Sequence, residues 1–306
     1  VKVAAFLLAF AAAAALAGLA AASLSAAADG WRAGFILLSS APIGAVTLLL
    51  IARVVGTDWD AALMPLLHWM PWLGLIAVPL VLGQAIVHWP AGHLHLWLSP
   101  PAFALRSALA LLFWGWTARA LARGRSLQAR ALLLAHGFVV SVMGYDWLLG
   151  SAPAQPNSAA PMMLAVMQIG AAAAFACAAR LGTAAQRRDL AYLIVASALG
   201  LAYLIYMDFV IVWFGDLPEH VGWYAQRYGL SAILPATATA IGLFAPILLV
   251  GIGRSDAARR QAGGLALLAL ALILAWFSAG SAVYLGLLAL LATVVMVGGT
   301  IRGVTA

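Results

Sequence analysis

Apolar runs of about 20 residues recur along almost the whole chain, broken by short stretches that carry arginine. A helix needs roughly 20 apolar residues to cross a hydrocarbon layer ~30 Å thick, because each residue rises ~1.5 Å. About ten segments meet that length, near 3–22, 32–54, 67–89, 99–121, 129–150, 159–181, 189–214, 229–253, 262–279 and 281–301. The last two are divided only by the turn-like Ser278-Ala279-Gly280-Ser281, since one helix spanning both would overshoot the membrane. The expected fold is therefore all-α, a polytopic membrane protein of about ten transmembrane helices in a single transmembrane domain, 1–306. Its opening, with Lys2, an Ala/Leu-rich core and the small residues Ser23 to Ala28, is built like a secretion signal; we read residues 1–29 as a retained first helix.

Composition agrees: 66% of residues are hydrophobic and 8% charged, with mean hydropathy +1.05, whereas soluble domains carry roughly 25% charged residues. The net charge of +7 does not point to nucleic acid, because the basic residues sit in short loops rather than on one solvated face. Cys177 is the single cysteine, which excludes an intrachain disulfide framework, a Cys-x-x-Cys-His haem attachment and a cysteine-ligated iron–sulfur cluster within this chain.

Lys and Arg set an expected orientation, because cytoplasmic loops are enriched in them. With an inner amino terminus, thirteen of the 16 fall on the cytoplasmic side: Lys2, Arg53, Arg119, Arg123, Arg125, Arg130, Arg180, Arg187, Arg188, Arg254, Arg259, Arg260 and Arg302. Arg32 and Arg227 fall opposite, and Arg106 lies inside a span. Both termini are then cytoplasmic in a bacterial inner membrane. Trp31, Trp89, Trp97, Trp147, Trp213, Trp223 and Tyr224 gather at the proposed outer ends, where aromatic side chains anchor helices. Pro42, Pro71, Pro79, Pro235 and Pro246 predict kinks, and the small-residue runs Ala171–Ala174 and Ala236–Ala240 predict close helix packing.

Ionisable residues within hydrocarbon are expensive and point to function. Arg106 lies ~10 Å and Asp208 ~12 Å below the proposed outer surface, with Asp146 shallower. Arg106 cannot readily discharge and so requires a carboxylate, Asp208 or Asp146. Tyr145, Tyr203 and Tyr206 lie within a turn of one or other acid, and Gln84 and His88 end the third span at the same level. Towards the other side, His136 lies ~9 Å deep and His68 near the surface, with Gln168 between the halves. These groups are the candidate proton path: Asp208, Asp146, Arg106, His136, His68, His88, Gln168, Tyr145 and Tyr206. Each also has a structural reading, as a buried ion pair fixing helix register or a hydrogen-bonded histidine. Two axial haem imidazoles must face each other at one depth, which His136 and His88 do not, and His93-Leu-His95 lacks a third metal ligand. No metal site, catalytic residue or covalently bound cofactor is expected.

Trp213-Phe-Gly-Asp-Leu-Pro-Glu-His-Val-Gly-Trp-Tyr-Ala-Gln-Arg227 leaves the seventh span as an aromatic, charged cap. It resembles the "W-x-x-x-x-P-E-x-x-x-W-Y-x-x-R" segment of the second integral-membrane (quinone-binding, NrfD-like) subunit of alternative complex III, a quinol:cytochrome c oxidoreductase, within the polysulfide-reductase membrane-subunit group. Asp146-Trp147-Leu-Leu-Gly and Leu98-Ser-Pro-Pro-Ala-Phe-Ala-Leu-Arg106 resemble two further segments of that family, so the likeness covers roughly 30–255, followed by two C-terminal helices in 256–306. Arg106, Asp146, Trp213, Pro218, Glu219, Trp223, Tyr224 and Arg227 match its pattern; Met207-Asp208 stands where the relatives carry Ser-Gln.

The resemblance implies two four-helix bundles plus flanking helices, in a complex with a sister NrfD-like subunit and with cytochrome c-type and iron–sulfur subunits that hold the haem c and clusters. It implies a quinone, quinol or lipid at the subunit surface and a proton-conducting role beside a quinol-oxidising sister. The alternatives are a non-catalytic scaffold for haem and iron–sulfur partners, or an independent transporter.

Overall fold

The computed structural model describes residues 24–86, 92, 95–125, 128–149, 157–215, 218–227, 229–253, 255–281, 284 and 288, and among them there are helices and no strand. Helix α1 spans Leu24–Val55. The short α2 (Asp60–Leu63) runs through a 3-10 segment (Met64–Trp69) into α3 (Met70–Ile86). After α4 (Pro100–Ala122) comes α5 (Ala129–Met143), which ends in a π-helical turn (Gly144–Leu149). Then follow α6 (Ala160–Ala178), α7 (Ala184–Phe214), the short α8 (Pro218–Ala225), α9 (Leu230–Thr239), a π segment (Ala240–Phe244), α10 (Ala245–Gly251) and α11 (Asp256–Phe277).

Seven helical stretches among the described residues are long and apolar enough to cross a membrane: Leu24–Val55, Asp60–Ile86, Ala129–Leu149, Ala160–Ala178, Ala184–Phe214, Ala232–Gly251 and Asp256–Phe277. Each matches one expected span. The span expected over 99–121 forms α4, which does not join the seven because Arg106, Ser107, Thr117 and Arg119 lower its hydropathy. The expected spans 3–22 and 281–301 lie outside the described residues, apart from Ser281, Tyr284 and Leu288.

Local chemistry explains the helix ends. Ser99 precedes Pro100 and Pro101 at the start of α4, where a missing N–H costs nothing. Thr183 and Gln186 form a reciprocal capping box on α7, with bonds of 3.2 and 2.9 Å. Ser255 Oγ accepts from the Ala258 amide at 3.1 Å to cap α11.

The interior is organised around α1 and α6. In α1, 78% of an 18-residue apolar stretch is buried, and in α6 61%, against 22% in α7, whose Leu199, Tyr203, Tyr206, Phe209 and Trp213 are exposed. Helix α6 approaches two neighbours through glycine: a Cβ at Gly44 of α1 would collide with the Gln168 carbonyl, and one at Gly263 of α11 with the Ala174 carbonyl. Ala171 to Ala174 are all buried, so this small-residue run is the close-packing surface the sequence predicts. On one side, α1 also packs against α3 and α5, and α3 against α4; on the other, α6 packs against α7 and α11, and α11 against α9 and α10.

The two ends of the molecule differ. At one, ion pairs tie the helix ends: Arg53 to Asp60 at 2.6 Å, and Arg187 to Asp256 at 2.7 Å with Arg180 to the same carboxylate at 3.5 Å. The opposite end holds the buried Arg32, Gln84, Asp146 and Arg227.

Candidate functional site: a buried polar network at one end of the helices

Asp146 sits on the π turn that ends α5, with no exposed side-chain surface. A π turn rephases the residues that follow it, and such turns are frequent at functional sites. Asp146 Oδ2 accepts from Arg106 Nε at 2.7 Å, and Oδ1 accepts from Arg106 Nη2 at 3.1 Å and from Trp97 Nε1 at 3.0 Å. Arg106 Nη2 also donates to the Trp97 carbonyl at 2.6 Å, and its guanidinium lies 4.1 Å from the Trp97 ring centroid. Of the two carboxylates open to Arg106 in the sequence, the structure pairs it with Asp146. The two-point geometry is the strong form of this contact.

A second arginine backs the first. The sequence places Arg32 at the outer end of the expected span 32–54, whereas in the structure it lies inside α1 (Leu24–Val55) and is 4% exposed. Arg32 Nη1 donates to the Asp146 main-chain carbonyl at 2.8 Å and Nη2 to Gln84 Oε1 at 3.0 Å, while Gln84 Nε2 donates to the Leu98 carbonyl at 3.1 Å. These bonds tie α1, α3, the residues before α4 and the end of α5 to one another.

A small cavity of about 40 Å³ extends the site and is lined by Asp29, Arg32, Asn157, Asp208 and Arg227 among others. That volume suffices for a water molecule among polar partners. Asp29 lies within electrostatic reach of both Arg32 and Arg227. Beyond the cavity, Tyr224 Oη donates to Asp208 Oδ2 at 2.5 Å. Burial and this bond to the carboxylate both push the Tyr224 phenol above its ordinary range, so it stays protonated and donating.

The cap residues divide. Arg227 is buried and closes the end of α11: Nε donates to the Trp276 carbonyl at 3.1 Å, Nη2 to that of Phe277 at 2.8 Å and Nη1 to that of Trp223 at 2.8 Å. A guanidinium on the last carbonyls satisfies acceptors the helix leaves open. It also stacks 3.8 Å from the Trp223 ring centroid, and Trp223 meets Trp276 edge-on at 5.0 Å. Trp213 is exposed and stacks on Phe209, Pro218 opens α8, and Glu219 lies on α8 with its side chain outside the described ones.

The remaining path candidates are dispersed. His136 is buried: Trp114 Nε1 donates to its Nδ1 at 2.9 Å, and its Nε2 lies 3.1 Å from Thr47 Oγ1. Because the Thr47 hydroxyl donates to the Ile43 carbonyl, it accepts from Nε2, and the ring is the Nε2–H tautomer. Gln168 is wholly buried, and neither its Oε1 nor its Nε2 has a hydrogen-bond partner. His68 is exposed and bonds the Pro65 carbonyl at 3.2 Å, Tyr145 and Tyr206 face outward, and His88 lies outside the described residues.

Arg32, Asp29, Trp97 and Trp114 are the contributors that the list of sequence candidates lacks. The signal for Arg32 is its place just after Asp29-Gly30-Trp31, where a helix that extends a few residues further back encloses it. Neither protein-family models nor curated proteins match this chain.

Proposed function

We propose that this chain is a membrane subunit of a quinol-oxidising electron-transfer complex of the alternative complex III type, supporting proton conduction beside a quinol-oxidising sister subunit. The observation that carries the reading is the meeting of Arg106 with Asp146, since the segments that bear the family resemblance converge there, 40 residues apart in sequence. Asp208 and Tyr224 adjoin the same end through the small cavity. An acid that shares a polar, water-sized space with two arginines and a second acid has the surroundings a proton-handling group needs. In this reading about ten spans form two four-helix bundles, one from α1, α3, α4 and α5 and one from α6, α7, α9 with α10, and α11. The polar network faces the outer side of a bacterial inner membrane, the arginine-rich end and both termini face the cytoplasm, and the haem c and iron–sulfur centres belong to partner subunits.

A scaffold role is the second reading, favoured by the hydrogen bonds that hold Asp146 and His136 in place. Extraction of the tagged full chain in mild detergent separates the readings from an independent transporter. A cytochrome spectrum, iron–sulfur protein and a sister membrane subunit should co-purify; a stable chain that purifies alone and moves a solute in liposomes would exclude both.

A further inference from the structure

A crevice of about 790 Å³ opens at the arginine-rich end of the molecule, between the end of α1, the end of α4 and the start of α5. Sites for small molecules occupy roughly 300–1,000 Å³. Three arginines line it, Arg53, Arg125 and Arg130, around a floor that includes the buried Leu121 and Ala129. Arg53 already pairs with Asp60 at 2.6 Å. Among the described residues, Arg125 and Arg130 pair with no carboxylate, and no acid lines the crevice.

The local fold explains why positive charge is left over here. Helix α4 runs into a turn at Gly124, whose φ of 62° is one that glycine adopts at no steric cost. The amides of Arg123, Gly124 and Arg125 then donate to the carbonyls of Arg119, Leu121 and Ala120, so the negative end of α4 is closed by its own loop. In the same way the Ala52 carbonyl of α1 accepts from the Gly56 and Thr57 amides. Helix α5 starts in the crevice with no side-chain cap from Gln128, and its open amides add to the positive potential.

Membrane orientation by itself accounts for arginines collecting in the loops of one face. It does not require them to converge on a concave pocket with an apolar floor. Three guanidiniums against the one carboxylate of Asp60 leave an excess of two positive charges. A phosphodiester headgroup is singly charged, whereas a phosphate monoester carries about 1.5 to 2 negative charges near neutral pH and three strong acceptor oxygens. Guanidiniums hold such oxygens in pairs.

We infer that this crevice binds a small, soluble phosphate monoester or diphosphate, with the phosphate between Arg125, Arg130 and the first amides of α5 and the rest of the molecule against Leu121. The site lies at the opposite end from the Arg106–Asp146 network and does not rest on the electron-transfer reading.

Calorimetric titration of the purified protein in detergent with inorganic pyrophosphate tests it, with phosphatidylglycerol in mixed micelles as competitor. Saturable binding is expected, weakened roughly tenfold by Arg125→Gln and by Arg130→Gln, since each removes a charge-assisted bond. Arg260→Gln removes an exposed arginine from the first turns of α11, outside the crevice, and should leave the affinity within about twofold of the parent. Binding that never saturates, or equal weakening by all three variants, would show attraction to net charge alone and overturn the assignment. Displacement of pyrophosphate by phosphatidylglycerol would overturn it too, making the crevice a lipid headgroup site. Thermal unfolding checks each variant; Arg125 and Arg130 are both exposed, and if one variant does not fold, the other and the competition decide.

Discussion

The guanidinium of Arg106 grips the carboxylate of Asp146 at two points, 2.7 and 3.1 Å, while Arg32 holds the main-chain carbonyl of the same aspartate at 2.8 Å. Side chain and backbone of one residue are thus fixed by two arginines from two different helices. The pair is buried on the acid's side and 18% exposed on the arginine's.

Breaking this pair should be costly. Arg106→Met leaves Asp146 buried without its counter-charge, and losing one partner of a buried pair costs about 3–5 kcal/mol. Denaturant unfolding in detergent should show that loss, and Arg106→Met with Asp146→Asn together should lose less than the sum of the single changes.

The α1–α6 seam has no space for a side chain at Gly44. Gly44→Val should destabilise by about 1–3 kcal/mol through overpacking, and Gly263→Val on the other face of α6 should do the same. Gly74, with open space around its Cβ position, is the control: Gly74→Ala should leave the melting temperature near that of the parent.

His136 is a joint between three helices, bonded to Trp114 of α4 and Thr47 of α1. His136→Ala leaves the buried Trp114 indole N–H without an acceptor, at about 1–3 kcal/mol, while the Thr47 hydroxyl loses one donor and keeps its bond to the Ile43 carbonyl. His136→Gln, which offers both an acceptor and a donor, should recover part of that stability. Equal melting temperatures for the two variants would contradict the joint.

Tyr224 gives a dependence on pH. Its folded pKa is raised, by burial first and by Asp208 second, so the folded state holds the phenolic proton more tightly than the unfolded state does. Its contribution to stability is fully present below about pH 10, where an unfolded tyrosine titrates, and is lost as pH rises beyond. Unfolding followed against pH should steepen above that point, and less so in Tyr224→Phe.

Span positions are readable in the chain because a 20-residue apolar run has one economical use, and the observed helices fall on the expected segments. Partnerships are less readable. Depth along a helix puts Arg106 near both Asp146 and Asp208, but the choice depends on rotation about the helix axis, and the π turn at Gly144–Leu149 resets that rotation for Asp146. Arg32 escapes for a related reason: positional counting puts it at the outer end of the span 32–54, whereas it lies within α1, with helix on both sides of it. The aromatic donors Trp97 and Trp114 read as interface anchors or core by residue type, and only three-dimensional placement turns them towards Asp146 and His136.

We propose that the acids at this end of the protein carry protons. The direct test is the number of protons moved per electron by the intact complex, reconstituted in vesicles, with and without Asp208→Asn. The account predicts a clear fall in that ratio with the complex still assembled and electron flux retained. An unchanged ratio at full electron flux, alongside an Arg106→Met variant that fails to assemble, would contradict it and leave this chain a scaffold.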